Sequence, residues 1–267
     1  MKNVAISIII PAYNAEKTIG RIIEKTLNQP YRNIELIVVN DGSKDRTEEV
    51  VGGYMGDKRL IAISQANRGA SAARNAGIRM ATGKYIMFFD ADDDVVSTMI
   101  EKMFDAAEKN GECLVVCATK FGEKRVLAPE KGGIVRESIK KHVVGSILKD
   151  GLLYSPCNKI YRNDVVKKNQ IVFDEKIKYG EDLIFNLAYF AQMKSIYYIK
   201  EPLYIYEYSK NGSSATTAAS GAYRKAMYKA LVGYVGGEGN KIQLALIRLR
   251  WRLSVLKAKV RGGRKNG

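Results

Sequence analysis

The chain has 267 residues, 46% of them hydrophobic, which allows one large α/β domain with a small appendage or two modest domains and excludes a disordered chain. No run of about 18 apolar residues is present, so we expect no membrane-spanning helix. The formal net charge of +16 is concentrated near one end, because nine of the 44 Lys and Arg residues lie within residues 241–265, which contain no acidic residue. We therefore predict a basic tail on a mildly basic domain.

The cysteines and the single histidine do not indicate a metal centre. Cys113, Cys117 and Cys157 are odd in number and lack paired spacing with histidine, which favours reduced structural thiols in a cytosolic protein. His142 lies beside two valines on a predicted helix, and we expect a surface or half-buried role for it. The apolar run at residues 4–10 is similar to a short signal peptide, but it ends at Pro11 and is predicted to be the first strand.

Strands and helices alternate along the first half of the chain. β-rich apolar runs predict strands at residues 4–10, 34–39, 60–64, 84–89 and 113–119, and a helical period predicts helices at residues 16–28, 45–51, 70–81 and 97–110. This alternation with short connections predicts an open, mainly parallel sheet with helices on both faces. Ligands of such sheets bind beyond the carboxyl ends of the strands.

Polar clusters follow the first, second and fourth predicted strands, at residues 11–14, 40–43 and 90–94. We expect all three to meet at one edge of the sheet. The last cluster places four carboxylates within five positions, and their mutual repulsion would be relieved by a cation. Hard carboxylate oxygens suit Mg²⁺ or Mn²⁺, with room for a phosphate as a further ligand.

The acidic cluster has two other interpretations. It could be a solvated turn that caps the next helix through Asp94 or Ser97. It could also be a calcium loop, but an EF-hand needs Gly where Val95 stands, and it needs a preceding helix rather than a strand. We reject the calcium loop. No P-loop or G-x-G-x-x-G follows the first strand, so a phosphate-bearing ligand would depend on a metal and on basic side chains.

Four motifs stand in order in the first 93 residues: IIIPAYN at 8–14, VVNDGS at 38–43, NRG with ARNAG at 67–77, and FDADD at 89–93. Together they resemble the N-terminal half of a family 2 glycosyltransferase of the GT-A fold, and the resemblance resumes more weakly at residues 158–162 and 180–185. It implies a Rossmann-like, mainly parallel sheet flanked by helices, with a C-terminal helical extension. We predict a domain at 1–212, divided near residue 120 into nucleotide-binding and acceptor halves, and a basic extension at 213–267.

The resemblance implies a donor site for a nucleotide-sugar. The nucleobase pocket would be lined by Pro11, Ala12, Tyr13 and Asp41, with Asp41 accepting a hydrogen bond from the base. The same donor would contact Asn67, Arg74, Asp90 and Ala91. For Arg74 alone, the simplest alternative is a surface arginine on an amphipathic helix.

The resemblance also implies the catalytic groups. Asp90 and Asp92 match the DxD motif, in which Asp90 would lie at the ribose and the metal and Asp92 would bind the metal, Mn²⁺ or Mg²⁺. Asp182 matches the acid that usually acts as general base. The alternative for Asp182 is an ordinary acidic helix N-terminus. Lys159 is predicted to be either an active-site cation or a surface lysine at a strand edge.

The second half of the chain gives fewer signals. Residues 134–148 are predicted to form a helix on the acceptor side, residues 154–156 a substrate-specific loop, and residues 197–208 two strand pieces broken at Pro202. The family usually has an Arg or His shortly afterwards. Here only Lys210 is available.

The basic tail has an apolar helical seam that runs from Ile242 to Val260. A basic amphipathic helix can rest on an anionic membrane surface, and it can also pack on the domain or on a second copy of the chain. Nucleic-acid binding is not expected, because no recognised motif accompanies the charge.

We therefore expect an inverting, metal-dependent glycosyltransferase that is cytoplasmic, with peripheral membrane binding as an option. It would move a sugar from a nucleotide donor, most simply a UDP-sugar, to a hydroxyl of a glycan or lipid-linked glycan, as in bacterial surface polysaccharide synthesis. The alternatives are a sugar nucleotidyltransferase and an inactive membrane-associated scaffold of the same fold.

Overall fold

The computed structural model describes residues 4–207 except 124, 137 and 178, together with residues 221–236 and 247–248, and gives only the backbone of 221–224. The strands are β1 Ile6–Ala12, β2 Ile34–Asn40, β3 Leu60–Ser64, β4 Tyr85–Phe88, β5 Asp94–Val95, β6 Leu114–Phe121, β7 Arg125–Leu127, β8 Gly133–Val135, β9 Lys159–Arg162 and β10 Ile196–Tyr206. The helices are α1 Ile19–Leu27, α2 Thr47–Gly52, α3 Ala70–Met80, α4 Met99–Asn110, α5 Ile139–Lys149, α6 Asn163–Lys168, α7 Glu181–Phe190 and α8 Gly221–Val235.

The described strands form one sheet in the order β3-β2-β1-β4-β9-β6-β10-β5, with β7 added to β6 and β8 added to β10. The first four strands are mutually parallel, with Ile6 of β1 opposite both Ile34 and Tyr85. β9 runs antiparallel to its neighbours β4 and β6, while β10 is parallel to β6. The predicted α/β fold with a mainly parallel sheet is confirmed. Strand order reverses between β1 and β4, which is where such sheets bind ligands.

The N-terminal half of the sheet is buried on both faces, which explains its nearly continuous apolar strands. All seven residues of β2 and all four of β4 are buried. On one face, α3 approaches β1 closely because Gly77 has no side chain: a Cβ there would lie 2.3 Å from Cγ2 of Ile9. This close packing holds α3, and with it Arg74, against the carboxyl end of β1.

Several predicted elements have other bounds. The helix predicted at 134–148 is wrong at its start, where residues 133–135 form β8 and α5 begins only at Ile139. Positive φ angles of 97° at Gly133 and 49° at Ser138 interrupt the helix. β10 is continuous through Pro202, with register shifts on either side of it, because proline has no N–H for the ladder. The N-cap of α4 is Thr98, so the predicted caps Asp94 and Ser97 are wrong.

The C-terminal part that the structure describes is packed on the domain. α8 lies against α5 and α7, and Leu231 and Val235 belong to the hydrophobic core. In the described part of the chain, no helix has the length and apolar character needed to span a bilayer. Lys210 and nearly all of the predicted basic seam lie outside the described residues.

Candidate active site

The three polar clusters surround one cavity of about 810 Å³ at the carboxyl ends of β1, β2 and β4. Most of the residues predicted to bind the donor line it: Pro11, Ala12, Tyr13, Asp41, Arg74, Asp90, Ala91 and Asp92. Asn67 is exposed and is not among the lining residues. Asp182 is also outside the lining, but its carboxylate accepts a hydrogen bond from Arg74.

Hydrogen bonds hold the loop after β1 against the loop after β2. The amide of Ala15 donates to Oγ1 of Thr47 at 2.7 Å, and the amide of Glu16 donates to Oδ2 of Asp45 at 3.1 Å. The pKa of Asp45 is lowered because hydrogen bonds from Thr47 and Glu16 outweigh its partial desolvation. These contacts leave Tyr13, which is 49% exposed, at the cavity surface with its ring free to stack on a planar ligand.

Asp41 is a buried anchor for the third motif. Its Oδ1 accepts hydrogen bonds from Nε2 of Gln65 at 2.8 Å and from the amide of Arg68 at 2.9 Å, and its Oδ2 accepts one from the amide of Gly69 at 2.7 Å. Gly42 is required beside it, because its φ is +68° and a Cβ would lie 2.7 Å from the backbone nitrogen of Asn67. Asp41 therefore shapes the pocket wall, and among the described contacts Oδ2 has the spare acceptor capacity.

The acidic turn after β4 contains two carboxylates that face the cavity. Asp90 accepts a hydrogen bond from Nη2 of Arg74 at 2.8 Å. The side chain of Asp92 is exposed, but limited hydration within the cleft and the neighbouring charge of Asp90 raise its pKa. Arg21 of α1, which sequence reasoning missed, donates to the carbonyl of Asp92 at 2.9 Å and also lines the cavity.

This turn fits a divalent cation in its donor chemistry. Asp90 and Asp92 supply hard oxygens, and a bound cation would offset the burial and the repulsion from Asp90 that raise the pKa of Asp92. Among the described residues, no group of three or more His, Cys, Asp or Glu side chains is close enough to hold an ion. A cation bound here would therefore need oxygens from a second ligand as well.

Asp93, the third acid of the turn, has a structural position. It is 1% exposed, and its carboxylate accepts hydrogen bonds from the hydroxyl of Tyr204 and, at 3.0 Å, from the amide of Glu207. The Tyr204 hydroxyl also accepts a hydrogen bond from the amide of Asp90 at 3.2 Å. Burial and the charge of Asp90 raise the pKa of Asp93 to about 8. Asp93 thus fixes the acidic turn to the end of β10.

Arg74 is buried, which contradicts the surface-arginine alternative. It is 5% exposed, and its guanidinium lies 5.2 Å from the ring centroid of Phe173 while it binds Asp90 and Asp182. Burial opposes its charge, but the two carboxylates raise its pKa overall. Arg74 therefore places a permanent cation between the DxD turn and the start of α7.

Asp182 lies in the first turn of α7, which starts after Gly180 at a φ of 86°. Its side chain is 27% exposed. Burial, together with the charges of Glu181 and Asp90, raises its pKa to about 6 against the opposing effect of Arg74. A carboxylate with this pKa is ionised at neutral pH and can accept a proton from a neighbouring group.

Lys159 is neither a surface lysine nor a cation facing the cleft. It is 0% exposed, and its ammonium donates to the carbonyls of Leu152 and Ser155 and to Oδ1 of Asn158. Burial lowers its pKa to about 7. It fixes the segment at residues 152–158, which also packs on α7 through a hydrogen bond of 2.7 Å from Asn186 to the carbonyl of Tyr154.

Known proteins are similar to this chain in sequence. The family model of glycosyl transferase family 2 matches residues 7–169. The uncharacterized glycosyltransferase EpsJ of Bacillus subtilis is 34% identical over 212 residues, which cover 77% of this chain and 62% of that protein. The minor teichoic acid biosynthesis protein GgaB of Bacillus subtilis is 30% identical over 237 residues, which cover 81% of this chain and 24% of that protein. The chain thus spans less than two thirds of the length of these relatives.

A solved structure supports the same fold. The crystal structure of Staphylococcus aureus TarS 1–349 in complex with UDP-GlcNAc matches with a TM-score of 0.76 and 22% identity, and covers 92% of this chain and 72% of that one. At this identity the likeness shows the GT-A fold alone. Because the family model matches more than half of the sequence, and the four motifs lie within the matched region, the chain belongs to glycosyl transferase family 2.

Proposed function

We propose that this protein transfers a sugar, with inversion, from a UDP-sugar to a hydroxyl of a glycan or lipid-linked glycan. The observation that carries the proposal is the position of Arg74, which donates one hydrogen bond to Asp90 and one to Asp182. Through this arginine, an acid suited to the cation of a nucleotide diphosphate and the acid suited to proton abstraction are held together beside a cavity. A family 2 transferase needs this combination.

The nucleotide part of the donor would occupy the cavity between β1, β2 and β4. Its volume of about 810 Å³ suits a ligand of nucleotide-sugar size. We assign base stacking to Tyr13 and base hydrogen bonding to Oδ2 of Asp41. The UDP-GlcNAc bound to TarS, which has the same fold, supports uridine as the nucleoside.

The diphosphate would lie near the acidic turn. We assign Asp90 and Asp92 to hold Mn²⁺ or Mg²⁺, which when bound would neutralise charge on the departing diphosphate. Arg74 and Arg21 place two further cationic side chains at this cavity. Lys17 also lines the cavity, and we assign Arg74 and Arg21 to contact phosphate oxygens in place of the Arg or His usual later in the family.

The chemical step would centre on Asp182. Its carboxylate removes the proton from the acceptor hydroxyl, and the oxygen attacks the anomeric carbon of the donor sugar. A new glycosidic C–O bond forms on one face of the sugar while the bond to the diphosphate breaks on the other. The proton remains on Asp182, and the electron pair of the broken bond leaves with the diphosphate. A pKa of about 6 keeps Asp182 ready to accept the proton at neutral pH.

The acceptor is proposed to be part of a bacterial surface polymer. GgaB, which is named for minor teichoic acid biosynthesis, supports this class. A cytoplasmic site of action at the membrane face would suit a lipid-linked acceptor, with the basic tail as the contact. Self-association through the same tail is the competing assignment, and both remain predictions from the sequence.

Calorimetric titration of UDP, GDP and CDP, each with and without Mn²⁺, tests the proposal. We expect UDP to bind tightly only with Mn²⁺, and Asp92→Asn to abolish this metal-dependent binding. Asp105→Asn, at an exposed position on α4, is the matched control and should bind as the unmodified protein does. If none of the three nucleotides binds under either condition, the donor-site assignment is wrong and the inactive scaffold is favoured.

A further inference from the structure

A second cavity, of about 610 Å³, lies outside the donor site and is used by none of the steps above. Its walls come from the loop before β8, from α5 and its following turn, and from β10. At its floor, Nε2 of His142 and the hydroxyl of Tyr198 are 2.8 Å apart. We call it the α5 cavity, lined by Pro129, Glu130, Lys131, Val135, Ser138, Lys141, His142, Gly145, Ser146, Lys149, Asp150, Leu152 and Tyr198.

The charges around the α5 cavity favour an anionic ligand. Of its two acids, Glu130 is paired with Lys149, and Asp150 accepts hydrogen bonds from the hydroxyl of Ser146 at 3.2 Å and the amide of Leu152 at 2.9 Å. Among the described residues, Lys131 and Lys141 form no ion pair within 4.0 Å. Two ammonium groups at the rim are therefore available to oxyanions.

The shape of the cavity indicates that it can admit a ring. Gly145 leaves part of the α5 wall without a side chain. The space beside it is open, since a Cβ placed there would have no heavy atom within 4 Å. At the floor, His142 lies one turn before Gly145 on α5, and its ring centroid is 5.5 Å from that of the buried Tyr198. The half-buried imidazole, with hydroxyl and ammonium groups nearby, suits a sugar ring that carries an acidic substituent.

The cavity is connected to the proposed base through one short segment. Asp150 and Leu152 form part of its wall, and two residues later the carbonyl of Tyr154 accepts a hydrogen bond from Asn186. Asn186 lies one turn after Asp182 on α7, so both are on the same side of that helix. The segment that forms part of the cavity wall is therefore fixed to the helix that carries Asp182.

We propose that the α5 cavity binds a remote unit of the acceptor, an anionic sugar residue that carries a carboxylate or phosphate. This inference rests on the proposed glycosyl transfer, and it adds an acidic polymer as the acceptor class. Lys131 and Lys141 contact the acidic group, and the sugar ring packs in the space beside Gly145.

The single histidine of the chain makes a direct binding test possible, because His142 gives the only imidazole resonance in a tag-free protein. Its Cε1–H signal is followed by NMR at constant pH while a hyaluronan hexasaccharide, maltohexaose or inorganic phosphate is added. We expect a saturable shift with the anionic hexasaccharide, a weaker one with phosphate and none with neutral maltohexaose. No shift with the anionic hexasaccharide, or an equal shift with maltohexaose, overturns the proposal.

Two variants locate the binding. Gly145→Gln fills the open wall with a residue that favours helix and should remove the shift, while Lys131→Ala with Lys141→Ala should weaken binding about fivefold. Lys109→Ala, at an exposed position on α4, is the matched lysine control. A shift that persists unchanged in Gly145→Gln also overturns the proposal.

The same samples separate this inference from the proposed function. Calorimetric binding of UDP with Mn²⁺ reports the donor site alone. UDP binding without an imidazole shift would refute the α5 site and support the proposed donor site. A shift without UDP binding would support the α5 site and refute the donor site. In turnover, Gly145→Gln should raise KM for a long anionic acceptor and leave KM for the donor unchanged.

Discussion

Arg74 and Asp182 are 108 positions apart in the sequence, yet Nη1 of the arginine donates to Oδ1 of the acid at 3.2 Å. The second terminal nitrogen of the same guanidinium binds Asp90 at 2.8 Å. A planar fork with fixed donor directions can satisfy both acids at once, whereas an ammonium acts as a point charge. Arg74 thereby sets the orientation of the proposed base relative to the donor site.

Replacing Arg74 should affect turnover and stability in distinguishable ways. Arg74→Lys keeps the charge but loses the fork, so we expect kcat to fall by about tenfold or more. Arg74→Met leaves two partly buried acids without a cation and should lower the free energy of unfolding by about 3 kcal/mol. Chemical denaturation and steady-state kinetics provide both values. Arg79→Lys, at an exposed position on the same helix, should change neither, and a fully active Arg74→Lys would contradict the orienting role.

The proposed base predicts a pH profile. Asp182 must be ionised to accept a proton, so kcat should rise with pH through about 6, where its raised pKa lies. The negative charge of Glu181 helps to raise the pKa of Asp182. Glu181→Gln should therefore favour the ionised form of Asp182 and shift the kcat profile to lower pH.

Asp182→Asn should reduce kcat by about a thousandfold or more while UDP binding stays nearly unchanged. Measured kcat over pH 5 to 8, with calorimetry on the same proteins, checks both statements. If the pH profile of kcat is the same in Glu181→Gln as in the unmodified protein, the ionisation belongs to a group other than Asp182.

Asp93 should matter for stability and for the shape of the donor site. Asp93→Ala leaves the Tyr204 hydroxyl and the Glu207 amide without their acceptor in a buried place, which should cost about 2–3 kcal/mol. Tyr204→Phe removes the hydrogen bond to Asp93 and the one that its hydroxyl accepts from the amide of Asp90, and should cost about 2 kcal/mol. Thermal melts with UDP titrations measure the effect on folding and on donor affinity. An Asp93→Ala variant as stable as the unmodified protein would exclude the anchoring role.

Sequence patterns predicted the parts of this fold that depend on local periodicity. The apolar runs of β1, β2 and β4 and the helical period of α3 gave the parallel sheet and its polar edge. β9 was missed because its four residues, Lys159–Arg162, are too few and too polar for a strand pattern. Its place between β4 and β6 is a long-range pairing that no local signal contains.

The candidate site was predictable where residues belong to a motif and unpredictable where contacts are tertiary. The DxD acids and Asp182 came from motif matching, and their assigned roles remain predictions. Arg21 gave no signal, because an arginine on the polar face of an amphipathic helix has the pattern of a solvated residue. Buried Lys159 was equally hidden, since its partners are carbonyl groups of a segment without regular structure.

Two glycines in helices should respond to alanine in opposite directions. Gly77→Ala would place a Cβ 2.3 Å from Cγ2 of Ile9, so overpacking of about 1–3 kcal/mol should exceed the gain in helix propensity. Gly145→Ala meets nothing within 4 Å and should stabilise the protein by about 0.5–1 kcal/mol. Urea denaturation of both variants measures the difference. Stabilisation by Gly77→Ala would show that α3 can move away from β1 at little cost.

Lys159 should leave a signature in the pH dependence of stability. Its pKa in the folded protein is about 7, whereas the unfolded chain holds the amine at its ordinary value near 10.5. Between these values the unfolded state binds the extra proton, so the lysine's contribution to stability increases with pH by up to about 1.4 kcal/mol per unit. Below pH 7 the lysine is protonated in both states, so this contribution to stability is absent and does not change with pH.

Lys159→Met removes this titration, although it leaves the carbonyls of Leu152 and Ser155 without their donor. The free energy of unfolding of the unmodified protein, minus that of Lys159→Met, should therefore be flat below pH 7 and increase from pH 7 to 10. Lys109→Met, at an exposed position on α4, serves as the control. Parallel curves for the unmodified protein and Lys159→Met across that range would mean that the buried amine stays protonated in the fold, held by its three oxygen partners.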